Sequence, residues 1–368
     1  MKKAALLSVR SYLRDSLCMP VACVIGLMVS FYLTAPRILA AEADLTPVID
    51  LHVDISYRSL YKHQPFAVGS GQFRAADLLP AGLRGVVLPL YVPQDAEPGG
   101  RSRLQLEKSY AHVFRSIVQT PPYSLPGCSI RRAGAARRQV ATWLAFEGSG
   151  PIGPDLSELR RWALRGVRSF GLVHSVPNQL SSSSGRADQG GLTLQGREFV
   201  RQVAMVKGVI DVSHASWTAT SEVIALSREL GRPVMATHSN AFTLAPHARN
   251  LSDEHIVGIA RSGGVIGVNF HRSFLRKSAR VDASIDDVVE QILYLRRLGG
   301  PTVAAIGSDF EGGIRAVPEL ADASKFQRLF SALRDAGLSR AEVESVFFRN
   351  ALRVLCPRPI DQHAFPRK

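Results

Sequence analysis

Short apolar runs recur along this chain, and several of them end in a group that can bind a metal ion or move a proton. Val48-Ile-Asp-Leu-His-Val-Asp54 ends in an HxD pair, and Val140 to Glu147 ends in a glutamate. Gly208-Val-Ile-Asp-Val-Ser-His214 and Pro233-Val-Met-Ala-Thr-His238 each end in a histidine, as does Gly166 to His174, and Val303 to Asp309 ends in an aspartate. These runs, with others near 84–92 and 264–270, predict eight strands: 48–54, 84–92, 140–147, 167–174, 208–214, 233–238, 264–270 and 303–309. Between and after them the pattern predicts helices over Leu156–Arg165, Gln195–Lys207, Ala219–Leu230, Asp253–Ser262, Ile285–Leu298 and Arg340–Leu355. Strand and helix in alternation is the mark of a parallel sheet. Eight such units predict a (β/α)8 TIM-type barrel, in which chemistry sits where the strands end.

Loops are expected at Pro93–Arg103, at the basic, proline-bearing Pro121–Arg138, and at Leu180–Gly191, whose Ser-Ser-Ser-Ser-Gly offers little to pack. Three parts follow: a leader over 1–43, a barrel domain over 44–356 and a surface tail over 357–368. In the leader, Lys2, Lys3, Arg10 and Arg14 precede an uncharged stretch from Ser16 to Pro36, and Ala41-Glu42-Ala43 offers a small-x-small cleavage site. That is the pattern of an export signal, with an uncleaved membrane anchor as the alternative because the apolar stretch is long. Either reading puts the domain outside the cytoplasm, periplasmic or extracellular. Cys18 and Cys23 lie in the leader, which leaves Cys128 and Cys356 in the domain, free to pair if their backbones come close enough.

At 368 residues and 46% hydrophobic content the chain can bury a full barrel core. Its formal net charge is +14, of which residues 1–43 carry +3. The rest is spread along helix faces as in Arg160, Arg161 and Arg165, with no aromatic interleaving, so no nucleic-acid partner is expected.

Taken singly, each strand-end group has a bland explanation. An HxD pair is common, a glutamate after a strand is often a surface residue, and a histidine after Ser or Thr is more often a satisfied core residue than a ligand. Together they say more. His52 and Asp54, two apart on a strand, share a face and can hold one cation. Glu147 follows Thr-Trp-Leu-Ala-Phe, too apolar a setting for a bare carboxylate. Five such residues on four strand ends suit a binuclear centre that activates water and polarises a carbonyl. The remaining histidines, His63, His112, His247, His255, His271 and His363, are assigned no role, although His271 falls just after the seventh strand.

These residues sit in segments that resemble the membrane (renal-type) dipeptidase family, zinc metallopeptidases of the amidohydrolase-like barrel group, and bacterial-type members in particular. The resemblance runs from about Val48 to Leu355 and rests on Asp50-Leu-His-Val-Asp54, Phe146-Glu-Gly148, Gly166 to His174, Gly191-Leu-Thr-Leu-Gln-Gly-Arg-Glu198, Ile210-Asp-Val-Ser-His214, Thr237-His-Ser239, Pro246-His-Ala-Arg-Asn250 and Ile306-Gly-Ser-Asp-Phe-Glu-Gly312. It implies two Zn2+ per chain, one on His52 and Asp54, the other on His214 and His238, bridged by Glu147. It further implies that His174 and Arg249 contact substrate, with Asn178 beside them, that His174 and Asp309 are catalytic with Asp309 handling protons, and that the protein is a homodimer.

The implied activity is hydrolysis of dipeptides, those with a C-terminal D-residue among the candidates. Departures from the family pattern fall at His271-Arg272 after Asn269-Phe270, at Ser284-Ile-Asp286, and in the loop His174-Ser-Val-Pro-Asn-Gln-Leu180, and they bear on substrate preference. Two other readings stay open: a binuclear hydrolase of another small amide or lactone, and a secreted binding protein that keeps the barrel without turnover.

Overall fold

The structure is a computed structural model that describes residues 45–66, 71–93, 100–125, 127–131, 139–185, 190–276 and 282–357. The predicted leader, His363 and all but the first residue of the predicted tail lie outside the described residues. From Thr46 onward the chain forms one unit. No helix among the described residues is long and apolar enough to cross a membrane.

Among the described residues nine strands form in chain order: β1 (Val48–Asp50), β2 (Leu83–Tyr91), β3 (Tyr123–Ser124), β4 (Val140–Glu147), β5 (Val167–Gly171), β6 (Val209–Asp211), β7 (Val234–Ala236), β8 (Val265–Val268) and β9 (Ala304–Ile306). All pairings between them are parallel. The order β2-β1-β9-β8-β7-β6-β5-β4 closes through β2 against β4, so the eight expected strands make a closed (β/α)8 barrel. β3 pairs only with the first residues of β4.

Several expectations about local structure need correction. The segment expected as a loop at 121–138 contains β3 and a 3-10 turn at Gly127–Arg131, both too short to leave a period in sequence. Arg101 to Arg103, expected in a loop, open the longest described helix, Gly100–Gln119. The helix expected over Arg340–Leu355 is broken by a wider π turn at Ser345–Arg349. There Asn350 turns inward and donates to the carbonyls of Pro301 and Ala304 beneath β9.

Alternation along each strand builds the barrel interior in layers. At the floor, Ile49, Val87, Trp143, Val209, Met235, Val265 and Ala305 form one buried cluster, sealed by Ala351, Val354, Leu355 and Cys356 from the chain end. The middle layer is small. A Cβ on Gly267 would stand 2.1 Å from the Thr237 carbonyl oxygen and one on Gly307 only 1.9 Å from it, so neither position accepts a side chain. Two residues further up, the same inward register reaches Glu147, Asn269 and Asp309. A second, larger cluster packs the outer faces of the strands against the helices, with Trp162, Phe170 and Phe199 fully covered.

Cys128, in the 3-10 turn, is bonded to Cys356 with their Cα atoms 5.6 Å apart. The bridge therefore lies at the floor, opposite the rim where the strand-end groups gather.

Candidate metal centre

The strands end earlier than their apolar runs suggest, and the candidate ligands stand on the irregular backbone just beyond. β1 stops at Asp50, whose carboxylate accepts from the Ser308 and His52 amides at 2.9 and 3.2 Å and so ties the ends of β1 and β9 together. His52 and Asp54 follow, held by hydrogen bonds from Asp309 N to His52 O and from Asp54 N to Phe310 O. β6 stops at Asp211, and its buried carboxylate accepts from Ser213 N, Thr237 N and Thr237 Oγ1 at 2.9, 3.0 and 2.5 Å. One ligand candidate, His214 at φ 72°, and the proton-transfer candidate, Asp309 at φ 65°, adopt the left-handed backbone that non-glycine residues avoid. Strain of this kind persists where the surrounding structure holds it, and it clusters at functional sites.

Glu147, at the end of β4, is the hub. Its Oε1 lies 3.2 Å from His214 Nε2, 3.5 Å from His52 Nε2, 3.5 Å from His174 Nε2 and 3.9 Å from His238 Nε2. His52 Nε2 is also 3.4 Å from Asp54 Oδ2, and the Nε2 atoms of His214 and His238 are 3.0 Å apart. Candidate ligand atoms of His52, Asp54 and Asp309 also lie within 4.8 Å of one another.

These spacings test whether the residues fit a divalent cation. Two ligand atoms about 2.1 Å from one tetrahedral ion stand about 3.4 Å apart, longer than an ordinary hydrogen bond. The His52 contacts match that edge, and His52 Nε2, although buried, has no hydrogen-bond partner. The donor set of imidazoles and carboxylates without thiolate suits zinc and similar divalent ions. The residues fit.

Electrostatics agree. Burial opposes charge on His52, yet Asp54 and Glu147 raise its proton affinity well above the usual imidazole range. Burial would raise Glu147, but His174, His52 and the His214 hydrogen bond hold it well below the carboxylate range. His214 and His238 are pushed well down by burial, with Arg249 adding to the effect. They therefore offer neutral nitrogens, the form that binds metal. Asp309 is pushed up to about 8, first by burial and then by Asp54, while Asn269 Nδ2 donates to its Oδ2 at 2.9 Å.

Above the cluster opens a cleft of about 430 Å³ lined by Asp54, Tyr91, Glu147, His174, Arg249 and Asp309 among others. Arg249 donates to the His238 carbonyl at 3.3 Å and lies over the Phe274 ring. His174 packs edge-on against Tyr91, with ring centroids 5.0 Å apart. Asn178 is placed differently. Its amide donates to Leu172 O and accepts from Leu180 N and Ser181 N, and it lines a neighbouring cavity of about 600 Å³ that also touches Glu147 and His174.

The serine run expected to pack little is instead buried at Ser181, Ser183 and Ser184. Ser183 Oγ donates to the His174 carbonyl at 2.6 Å and Ser184 N to the His214 carbonyl at 2.8 Å, so the run braces the two strand ends it lies between. Small hydroxyl side chains let backbone come this close, which composition alone does not reveal. His271, assigned no role from sequence, lines the cleft. Asp50, Asp211, Thr237 and Asn269 were also missed, although each lies within three residues of a candidate ligand or next to the end of a predicted strand.

Comparison with known proteins places this geometry. The family model for membrane dipeptidases, peptidase family M19, matches residues 40–359. A protein from the pqqA 5′ region of Klebsiella pneumoniae is 37% identical over 218 residues, 57% of this chain and 79% of that protein. The dipeptidase aclJ of Aspergillus oryzae is 29% identical over 249 residues, 66% of this chain but only 58% of its own length. Among solved structures, a metallo peptidase from Rhodobacter sphaeroides, liganded with a phosphinate mimic of the dipeptide L-Ala-D-Ala, superposes with a TM-score of 0.77 at 25% identity, covering 85% of this chain and 99% of that one.

Proposed function

This chain belongs to the membrane dipeptidase family, and on that premise we propose that it hydrolyses the peptide bond of dipeptides at a centre holding two divalent cations, zinc first among them. The observation that carries the reading is the single oxygen Glu147 Oε1, with the Nε2 atoms of four histidines 3.2 to 3.9 Å away. One carboxylate at the focus of so many donors suits a bridge between two ions, with His52 and Asp54 on one side and His214 and His238 on the other. Bound there, the cations would supply Lewis acidity to the scissile carbonyl and a water activated near neutral pH.

The chain's own side chains account for the rest. Arg249 presents a planar fork of donors to the cleft and binds the carboxylate of the substrate. His174 stands at the cleft wall, where an imidazole N–H stabilises charge that develops on the carbonyl oxygen. Asp309 Oδ1 or Oδ2 takes a proton from the attacking water and delivers it to the leaving amine. The Asn269 amide fixes the angle of that carboxyl group. Asn178 acts at one remove, by shaping the loop that follows His174. Small dipeptides, including those with a C-terminal D-residue, are the substrates to try first, because the Rhodobacter relative carries a mimic of L-Ala-D-Ala.

We extend the proposal to export across a membrane, with residues 1–43 as signal or anchor, the barrel domain over 44–356 and a tail over 357–368, and to a homodimer. The Cys128–Cys356 bridge supports an oxidising compartment, where such bonds persist. The direct test is metal analysis of purified protein with a panel of L,L and L,D dipeptides. Two ions per chain and hydrolysis abolished by a chelator are expected. Hydrolysis by metal-free protein, or tight metal binding without turnover of any dipeptide, overturns the reading.

A further inference from the structure

Below the ligand candidates, one hydroxyl lies against imidazoles assigned to opposite halves of the centre. Thr237 Oγ1 is 2.9 Å from His238 Nδ1 and 3.4 Å from His52 Nδ1, and it donates to Asp211 Oδ2 at 2.5 Å. All four residues are buried, none more than 5% exposed. The His52 and His238 rings stand with centroids 3.8 Å apart, which brings their Nδ1 edges to the same oxygen.

A threonine hydroxyl has one proton to give and two lone pairs to offer. Asp211 is the acceptor in each of its hydrogen bonds to Ser213 and Thr237. Its Oδ1 already accepts two backbone N–H groups, from Ser213 and Thr237. The hydroxyl proton therefore goes to Asp211 Oδ2, and the lone pairs of Thr237 are left to the two rings, with Ser213 Oγ at the longer 3.5 Å. Each ring must then be the donor, so both carry a proton on Nδ1, which leaves Nε2 as the atom turned toward Glu147 for a cation. An outer partner that accepts from a ligand histidine fixes the tautomer and the ring orientation. Ordinarily one partner serves one ligand.

We infer that Thr237, anchored by Asp211, is a shared positioning residue that orients one histidine of each cation position at once, so that the two positions are not independent in their affinity. This rests on the binuclear reading above and adds a coupling between its halves. The backbone supports the same point. The small middle layer at Gly267 and Gly307 packs directly on the Thr237 carbonyl, so the residue that carries the hydroxyl is itself held in place.

The test is metal binding by the purified protein, with Zn2+ titrated against a competing chelator and Co2+ absorption as a spectroscopic report of ligand geometry. Thr237→Val keeps the shape and removes the acceptor. It is expected to weaken both positions by roughly 10- to 100-fold and to alter the Co2+ spectrum of each. Thr237→Ser restores the hydroxyl and is expected to recover affinity at both positions. Asp211→Asn supplies a second check, since an amide there turns the hydroxyl proton toward a ring and should weaken binding without removing Thr237. If Thr237→Val weakens one position only, or neither, the shared role is overturned, and if Ser fails to rescue, the effect is packing and the inference also fails. Absence of two-ion binding in the unaltered protein would instead sink the binuclear reading beneath it.

Discussion

The two ends of the barrel are built by the same strands and differ in almost everything else. At the floor, the inward positions are Ile49, Trp143, Met235 and Val265, covered by the C-terminal helix and a disulfide. Such burial stabilises by about 25 cal/mol per Å² of apolar surface removed from water. Four residues along β4 from Trp143, the inward position is Glu147. At this rim burial, and after it the neighbouring Asp54, raises Asp309 to about 8, and His214, Asp309 and Glu311 hold left-handed backbone. The rim costs stability and the floor supplies it. A barrel can bear one end where buried charged groups crowd together because the other end is packed to completion.

That contrast predicts which substitutions separate activity from stability. The largest effect is expected from Asp309→Asn, which should lower turnover by roughly two to four orders of magnitude. Metal content, measured by atomic absorption, should barely change, since Asp309 is not required by the five-ligand set. Near-parental dipeptide hydrolysis by this variant would make Asp309 structural. Next comes the bridge. Glu147→Gln should weaken both cation positions by more than the roughly 10- to 100-fold that outer partners contribute, whereas His52→Ala should empty mainly one. Equal losses in a two-site titration would remove Glu147 from the shared position.

At the floor the expected pattern reverses. Replacing Cys128 and Cys356 by serine should lower unfolding free energy by roughly 2–5 kcal/mol in urea melts while leaving kcat at 25 °C within about twofold, as an effect acting on folding alone leaves the folded enzyme's rate intact. A large fall in kcat without a fall in stability would mean that the floor and the rim are not separable.

The smallest expected effect concerns pH in metal-stripped protein. Burial raises Asp50 to about 6 and Asp309 to about 8, above their value near 3.8 in the unfolded chain. The folded state thus binds these protons more tightly than the unfolded state. Stability should be greatest below about pH 4 as far as these groups are concerned, and should fall as pH rises from there through 6 and on to 8. Urea unfolding in chelator across that range would check the direction, and Asp309→Asn should flatten the upper part of the slope.

The same contrast explains what could be read from sequence. Each rim histidine and Glu147 announced itself by ending an apolar run, so the barrel and its eight strands were legible together. The strand ends were less so, because His52, Asp54, His214 and His238 lie past the last paired residue, on backbone that alternation does not describe. The helix Gly100–Gln119 was hidden by its own surface. Leu106, Val113 and Ile117 are buried, but Leu104, Phe114 and Val118 are exposed on other faces and blur the period. Asp211 and Thr237 carried no signal of their own, since an aspartate two residues before Ser213 and a threonine before a histidine gain meaning only when β6 and β7 lie side by side. The serine run misled for a related reason: polar composition looks like solvent exposure until the carbonyls it serves are known.

The Cys128–Cys356 bond spans 228 residues of sequence and gathers β4 to β9 into one covalent ring. β1 and β2, with His52 and Asp54, stand outside that ring. A protease that cuts once within the ring leaves two pieces still joined, so the chain would run as a single species on a gel until it is reduced. A cut anywhere between Asp54 and Cys128 has the opposite result, for it frees a fragment that carries one pair of candidate ligands and leaves Glu147, His214 and His238 behind.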